Sequence, residues 1–591
     1  MRVTFVPDMP TLATGHNPRI VRREAVVAPE GLSAGLHPVL RRVYAARAVQ
    51  DSRELDRSLP SLLPPERMGG VADAVERLAA AVQAGEPILI VGDFDADGAT
   101  SCAVAVLALR AMGCATVDYL VPNRFEFGYG LTPEIVALAV QRRPGLIVTV
   151  DNGVSSVAGV AAAKDAGIDV IVTDHHLPGP ELPAALAIVN PNLPGDAFPS
   201  KATAGVGVIF YVLLTLRTRL RELGWFGRRG LPEPNMAEYL DLVALGTVAD
   251  VVPLDANNRI LVYQGLARIR AGRCRPGITA LLQVAGRNPQ RVVATDMGFA
   301  VGPRLNAAGR LDDMSLGIEC LLADEPDVAA RLAEDLDRLN RERRGIEDAM
   351  KEQALAMLDE LHLAANGDMP WGLCLYDEGW HQGVIGILAS RIKERYHRPV
   401  IAFAPGNPGE IKGSARSIPG LHVRDVLDEV AARHPGLLAK FGGHAMAAGM
   451  TLSADRFEAF REAFDTVVRT HLTADDLQAV VHSDGELDAD ELNLDLAWTL
   501  ADGGPWGQAF PEPVFDGCFE ILSQRIVGER HWKLVLRPAN SDHAVDAIAF
   551  HQVQNFPDAL PRRLRAAYRL EANEFRGNVN LQLRIEHMEP A

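Results

Sequence analysis

At 591 residues the chain exceeds what one hydrophobic core sustains, since single domains stop growing at about 250 to 300 residues, and about three domains are expected. A composition 48% hydrophobic and 23% charged is that of a globular protein in water; no apolar stretch nears the ~18 residues of a membrane span, Met1 to Pro10 lacks the apolar core of a signal peptide, and six scattered cysteines without a Cys-x-x-Cys pair exclude a zinc ribbon or disulfide framework. The expected setting is a reducing cytoplasm with no membrane contact, and the net charge of −17 argues against a polyanionic partner only on average.

Residues 1 to 55 are irregular in pattern and read as an N-terminal extension carrying Arg22, Arg23, Arg41, Arg42 and Arg47; Pro60, Pro64 and Pro65 punctuate the approach to the first domain. From Pro87 apolar runs alternate with helical segments. Pro87 to Val91 precedes a helix over Ala99 to Met112. Thr116 to Val121 precedes Pro133 to Arg142, and Leu146 to Val150 precedes Ser155 to Ala166 and the run Asp169 to Thr173. Repeated βαβ predicts a mostly parallel sheet. A mostly helical stretch from Ala202 to about Ile278 includes Gly246 to Pro253. Between Asp327 and Leu363 there is no proline, and Val328, Leu332, Leu336, Leu339, Ile346, Met350 and Leu358 recur at helical spacing, which predicts one long connecting helix.

Beyond it, Gly372 to Tyr376, a helix near Val384 to Arg395, Pro399 to Ala404 and Glu410 to Ser417 predict a smaller α/β domain ending near Leu472. Strand-like Phe519 to Val527, Trp532 to Arg537, Ala544 to Phe550 and Leu581 to Ile585 predict a C-terminal β-barrel. Charge is segregated in this last part. His471 to Gln524 holds twelve acidic side chains and no Lys or Arg, whereas Arg525 to Arg584 holds ten basic against six acidic.

Three apolar runs end in polar clusters: Asp93-Phe94-Asp95-Ala96-Asp97-Gly98, Asp151-Asn152-Gly153 and Asp174-His175-His176. Side chains at the carboxyl ends of parallel strands converge on one crevice. The first cluster also matches the opening of an EF-hand loop, but the twelfth position is Val104 rather than Glu, and a strand precedes it instead of a helix. Capping of the following helix would explain one of its acids, not three. Asp151-Asn152-Gly153 alone reads equally as a turn. Asp174-His175-His176 is more specific, because an acid and two imidazoles at the end of an apolar strand are costly to desolvate unless they pair or coordinate. Carboxylates and imidazoles together suit Mn²⁺ or similar ions, and shared carboxylates allow the separation of roughly 3.5 to 4 Å seen in two-metal phosphoryl chemistry.

These residues resemble the DHH phosphoesterases, whose name is the motif Asp174-His175-His176. The resemblance extends over most of the chain, through Val91 to Gly98, Val150 to Gly153, the Asp250 segment, Gly302 to Arg310, Lys412 to Ser417 and Gly442-Gly443-His444. It is strongest to the branch that digests single-stranded DNA from the 5′ end. The implied fold class is α/β: a parallel-sheet DHH domain over 56–325, the connecting helix over 326–363, a DHH-associated α/β domain over 364–472 and an oligonucleotide-binding barrel over 473–591.

The resemblance implies two divalent ions, Mn²⁺ first and Mg²⁺ as the alternative, held by Asp95, Asp97, Asp151, His175 and Asp250, with Asp151 as the bridge. His176 is expected at the scissile phosphate, with Asp174 and Asp93 in supporting catalytic roles. Arg304, Asn306 and Arg310 are expected to contact substrate, against the plain reading of a Gly/Pro loop with solvated arginines. Ser414 and Arg416, which otherwise face water, are expected with Arg124 to hold a terminal 5′ phosphate. Gly443 and His444 form either a tight turn or a backbone approach to a nucleotide. The implied partners are single-stranded DNA, a single-strand-binding protein and a helicase, in DNA repair and recombination. Of the barrel residues, arginines are expected to contact the strand, while Trp532, Phe550, Phe556, Tyr568 and Phe575 either stack bases or pack the core. Superfamily members acting on short oligoribonucleotides, cyclic dinucleotides or pyrophosphate generally lack such a barrel. Intact ligand positions also weigh against a non-enzymatic replication-fork scaffold.

Overall fold

Strands that are apolar at every position are stable only where both faces are covered. In chain order, the computed structural model contains β1 (Arg19–Arg22), α1 (Pro38–Ala45), α2 (Val71–Ala84), β2 (Ile88–Val91), α3 (Ala96–Ala111), β3 (Val117–Leu120), α4 (Pro133–Gln141), β4 (Leu146–Val150), α5 (Val157–Asp165), β5 (Asp169–Thr173) and β6 (Ala187–Val189). It describes residues 18–24, 27–122, 130–364, 369–539, 541–553, 556, 560–575 and 578–591. Two compact units result. Residues 26–343 and 499–512 form one; the described residues before 26, with 344–498 and 513–591, form the other.

In the first unit a five-stranded parallel sheet has the order β3-β2-β4-β5-β6. β2 and β4 are buried at every position. The chain steps outward from β2 to β3 and then returns to lay β4 on the other side of β2. The loops leaving β2 and β4 therefore diverge and open a crevice at their carboxyl ends. Helical cover comes from α6 (Gly205–Glu222), α7 (Trp225–Arg229), α8 (Leu240–Ala249), α9 (Ala256–Arg270), α10 (Pro276–Val284), α11 (Ala294–Asp296), α12 (Gly302–Leu311) and α13 (Ser315–Leu322). Every residue of α3 from Ala96 to Val106 is buried, because α6, α8 and α13 all pack on it. Residues 499–512 return to this unit: the Tyr44 hydroxyl donates to Gly503 O at 2.8 Å, and the Arg259 guanidinium lies 4.2 Å from the Phe510 ring centre.

The proline-free stretch forms α14 (Pro326–Ala364), 39 residues long. In the second unit β7 (Leu373–Tyr376), α15 (Ile385–Tyr396), β8 (Val400–Pro405), β9 (Glu410–Arg416), α16 (Val423–Arg433), β10 (Lys440–Gly443), β11 (Ala447–Ser453) and α17 (Phe457–His471) build a sheet of order β10-β11-β9-β8-β7. Then come β12 (Val480–Ser483), α18 (Leu494–Asp502) and a closed barrel of β13 (Phe515–Val527), β14 (His531–Pro538), β15 (Val545–Ala549), β16 (Arg563–Phe575) and β17 (Asn578–Pro590), in the order β13-β14-β15-β17-β16. β16 is not marked by the sequence pattern because Ala566, Ala567 and Ala572 dilute its alternation.

The N-terminal segment departs from the irregular extension expected. β1 pairs in parallel with β12, and α1 is a regular helix. An ionic clamp closes this junction. Arg22 Nε lies 2.8 Å from Asp516 Oδ1, Arg565 Nη2 lies 2.8 Å from Asp516 Oδ2, and the Ser483 hydroxyl donates to Oδ1 at 2.5 Å. Burial alone would raise the Asp516 carboxyl, but hydrogen bonds from Arg22, Ser483 and Arg565 outweigh it and hold the group below its ordinary range. Its stabilisation is therefore present above the unfolded carboxylate value and is lost as pH falls through the lower folded value. Asp516→Ala, which leaves two arginines without this partner, is expected to destabilise the unit by about 2 kcal/mol in urea unfolding at pH 7 and to flatten its acid sensitivity.

Candidate active site

The crevice at the end of the parallel sheet collects the acidic clusters. Asp95 is the N-cap of α3; its Oδ1 accepts from Asp97 N at 2.9 Å and Gly98 N at 3.0 Å. Capping and ligation thus coexist, since one oxygen caps and the other remains for a ligand. Asp97 Oδ2 accepts from Gly205 N at 2.7 Å and its Oδ1 from Val206 N at 3.0 Å, which sets it on the positive end of α6. Asp151 leaves β4 with φ +61°, a left-handed conformation uncommon for a non-glycine residue. A Cβ on Gly205 would stand 2.6 Å from that of Asp151, so only glycine admits α6 here. Asp250 caps the end of α8.

His175 joins the clusters. Its Nε2 lies 3.1 Å from Asp151 Oδ1, 3.5 Å from Asp250 Oδ2 and 3.9 Å from Asp97 Oδ2. Asp174 turns away: Oδ2 accepts from Val154 N at 2.8 Å, while Oδ1 accepts from the His175 and His176 amides and lies 2.8 Å from His176 Nδ1. It orients His176 and the loop after β4. Asp93, expected as support, lies among the donors, for the sets Asp93–Asp95–Asp151, Asp97–His175–Asp250 and Asp151–His175–His176 each bring one ligand atom per residue within 4.8 Å of the others.

Burial, then Asp95, pushes the Asp97 carboxyl up to about 7, and burial with Asp97, Asp95 and Asp93 raises Asp151 well above its ordinary range. Asp250 is raised for the same reasons. Burial opposes a charged His176, but the Asp174 carboxylate wins and lifts the imidazole to about 9. Buried, mutually repelling carboxylates interleaved with imidazole fit divalent cations.

Latches unforeseen in the sequence hold this arrangement. Asn190 Nδ2 donates to His176 O at 2.8 Å, Asn192 Nδ2 to His175 O at 2.6 Å, and Asn152 Nδ2 to Val91 O at 3.0 Å. Asn190 and Asn192 follow β6 just as the acids follow their strands, but the three residues of β6 were too short to mark.

The Gly302 to Arg310 segment is not a loop. Met297–Val301 is a π-helical turn leading into α12. Arg304 is buried, its Nε and Nη2 at 2.9 and 2.8 Å from Asp337 Oδ1 and its Nη1 donating to Ala300 O, so it ties α12 to α14. Asn306 Oδ1 accepts from Ala96 N at 2.7 Å and braces the metal loop; Arg310 is half-buried on the same helix. A Cβ on Gly309 would lie 1.8 Å from Phe94 O, so α12 packs directly on that loop.

In the second unit Ser414 and Arg416 sit two apart on β9. Arg416 Nη1 donates to Ser414 Oγ at 3.1 Å and Ala415 O at 2.8 Å. A Cβ on Gly386, in the first turn of α15, would stand 2.9 Å from Arg416 Nη2 and 3.0 Å from Ser414 Oγ. Burial lowers the Arg416 pKa, and among the described residues no carboxylate pairs with it. A desolvated guanidinium beside a helix N-terminus is suited to a phosphate. Gly443 has φ +146°, and a Cβ there would stand 2.4 Å from Ala448 Cα; His444 N donates to Ala447 O, as in a tight turn. Arg124 lies outside the described residues.

On the barrel the basic side chains are largely paired. Glu520 takes Arg537 and Arg562, Asp516 takes Arg22 and Arg565, and Arg569 and Arg584 reach Glu586. Trp532 and Tyr568 are buried in the barrel, Phe556 is half-buried and Phe550 is exposed; the Phe575 side chain lies outside the described residues.

Fold and donor set define a DHH-type, metal-dependent phosphoesterase. Residues 87–247 match the DHH family N-terminal domain, 371–470 the DHHA1 domain and 483–587 the RecJ OB domain. The single-stranded-DNA-specific exonuclease RecJ of Dickeya dadantii is 58% identical over 96% of this chain and 99% of its own. Thermus thermophilus RecJ in complex with Mn²⁺ superposes with a TM-score of 0.77 at 31% identity, covering 98% of this chain and 79% of that one; its complex with Mg²⁺ gives 0.71 at 30%, covering 98% and 78%. The chain belongs to the RecJ family of single-stranded-DNA-specific exonucleases. Among the described residues no helix is long and apolar enough to cross a membrane.

Raised carboxylates bind more protons folded than unfolded, so between their ordinary range and about pH 7 the metal-free chain loses stability as pH rises. His176 contributes stability that is full below its unfolded value and is lost through about 9, in the same direction. In chelator, the melting temperature of the first unit is expected to fall between pH 5 and 8 on the order of these pKa values; Mn²⁺ at pH 8 should reverse the fall, and Asp151→Ala should remove most of the Mn²⁺-dependent gain in scanning fluorimetry.

Proposed function

We propose that this exonuclease hydrolyses single-stranded DNA from the 5′ end and releases 5′-mononucleotides at a two-ion centre, Mn²⁺ being the favoured ion. The observation that carries the reading is the overlap of donor sets around Asp151 and His175, which gives room for one ion near Asp93, Asp95 and Asp151 and another near Asp97, His175 and Asp250, with Asp151 shared. Divalent ions bound there supply charge neutralisation and Lewis acidity to an in-line displacement at phosphorus. Asp97 is held by the α6 amides and Asp95 by the first turn of α3, so both present oxygens without reorganising. His176, kept in place by Asp174, offers its imidazole to a non-bridging oxygen of the scissile phosphate.

Ser414, Arg416 and the first turn of α15 form the pocket for the terminal 5′ phosphate. Asn306 and Arg304 act as positioning residues, Asn306 through the Ala96 amide and Arg304 through Asp337. In the cell, a cytoplasmic setting in repair and recombination, with a helicase and a single-strand-binding protein supplying substrate, agrees with six free cysteines and the single-strand specificity of the relatives.

Matched 5′- and 3′-labelled strands digested with Mn²⁺ are expected to release 5′-labelled mononucleotide first; initial release from the 3′ end, or preference for cyclic dinucleotides, overturns the assignment. Asp151→Ala should abolish hydrolysis while circular dichroism stays that of the wild type, and a folded variant with near-normal turnover rules out the shared ligand. Arg416→Gln should raise KM for 5′-phosphorylated strands by about tenfold, through loss of a charge-assisted phosphate contact, and leave 5′-hydroxyl strands nearly unaffected.

A further inference from the structure

Arginine is unevenly distributed in this chain of net charge −17. Between Ala256, where α9 begins, and Thr295 in α11 there are seven arginines and no Asp, Glu or Lys. Such a block attracts anions unless the fold neutralises it. In part the fold does so. Arg259 donates to Leu254 O and Glu54 O, Arg275 holds Asp324 and the carbonyls at the end of α13, and Arg287 pairs with Asp296. Arg270 is different. It is half-buried, its Nε donates to Val292 O at 2.9 Å, and among the described residues no carboxylate pairs with it.

Arg270 lines a cavity of about 260 Å³ whose walls all belong to the first unit. Arg57 lines it as well and also has no carboxylate paired with it among the described residues. Its Nη1 donates to Asp502 O at 2.7 Å, and its guanidinium carbon lies 4.8 Å from the centre of the Tyr263 ring. Tyr263 is half-buried, and among the described residues no group hydrogen-bonds its hydroxyl. Trp506 adds a second aromatic wall, fixed by stacking on Phe510 at 5.0 Å and by a hydrogen bond from its Nε1 to Leu500 O. The carboxylates of Asp502 and Glu512 and the exposed hydroxyl of Thr295 complete the polar lining. None of these residues belongs to the donor sets of the metal centre.

This combination selects a class of ligand. Two guanidiniums partly withdrawn from water call for an anion. Two carboxylates in the same walls repel a bare anion or a run of acids, so the ligand must carry hydrogen-bond donors too. Phenol rings and guanidinium planes both stack on bases. The volume lies just below the roughly 300 to 1,000 Å³ of small-ligand sites, so it takes one such unit and no duplex. A nucleotide meets every requirement, with its phosphate, its hydroxyl or amino donors and its base face. We propose that this cavity is a second nucleotide-binding site, separate from the metal centre, in which Arg57 and Arg270 hold the phosphate and Tyr263 and Trp506 receive the base. The proposal assumes nothing about cleavage polarity. The nucleotide arrives either free, as a nucleoside 5′-monophosphate, or as one unit of a single strand, and the chemistry recognised is the same.

The test photocrosslinks the full chain to iododeoxyuridine 5′-monophosphate and, in a second arm held in chelator to halt hydrolysis, to a 5′-hydroxyl oligothymidylate carrying one internal iodouracil. Mass spectrometry is expected to place the crosslink on Tyr263 or Trp506, with thymidine 5′-monophosphate competing far better than thymidine or inorganic phosphate alone. A crosslink from the free nucleotide alone assigns the site to free nucleotide, and one from the strand alone assigns it to the strand; both results support the site. Arg270→Gln is expected to raise the dissociation constant roughly tenfold, the scale of one charge-assisted contact. Thr295→Glu, an exposed change that adds a carboxylate to the lining, should do the same and carries the test if Arg270→Gln lowers the melting temperature. Crosslinks at neither residue in both arms, or affinity unchanged in both variants, overturn the proposal. Displacement by polyglutamate but not by the nucleotide also overturns it, by making the cavity a site for an acidic protein.

Discussion

The structure is organised around a concentration of negative charge that folding alone would not tolerate. Asp93, Asp95, Asp97, Asp151, Asp174 and Asp250 all lie at the carboxyl end of one sheet or at its margin, four of them with almost no solvent contact. Isolated ionised carboxylates cost several kcal/mol to bury, and their mutual repulsion adds to this. The raised carboxyls of Asp97, Asp151 and Asp250 express that conflict. Divalent cations resolve it, so the groups that make the empty site unfavourable are those that make a loaded one tight.

The scaffold reduces the remaining electrostatic cost with backbone dipoles. Asp95 and Asp97 meet the amino ends of α3 and α6, and Asp174 meets the amides of Val154, His175 and His176. Such contacts require the backbone to come very close, which accounts for Gly205 against Asp151 and Gly309 against Phe94. Asparagines then fix the loops by their carbonyls without adding charge. The helices are thus part of the site's electrostatics as well as its cover.

Much of this was legible in the sequence, and the reason is physical. β4 and β5 were bounded to the residue because both-face burial leaves an uninterrupted apolar run, and α14 to within one residue because a long amphipathic period without proline has few alternatives. The site followed from the polar residues that end those runs. The illegible part depends on contacts distant in sequence. The Asp337 tie to Arg304 spans 33 positions, and nothing local marks Arg304 as structural or Asn306 as a brace. Glycine and proline in Gly302 to Arg310 suggested a loop; proline at the first turn is compatible with helix, and Gly309 is required by packing rather than by a bend.

Charge segregation at the C-terminus was visible but pointed inward. The acidic segment contributes Asp516 and Glu520, the basic segment Arg537, Arg562 and Arg565, and these meet across neighbouring barrel strands. A block of positive charge in sequence is therefore much less of a phosphate-binding surface in three dimensions. Arg416, by contrast, is desolvated with no carboxylate partner among the described residues, so its charge is left for an anion from outside the protein.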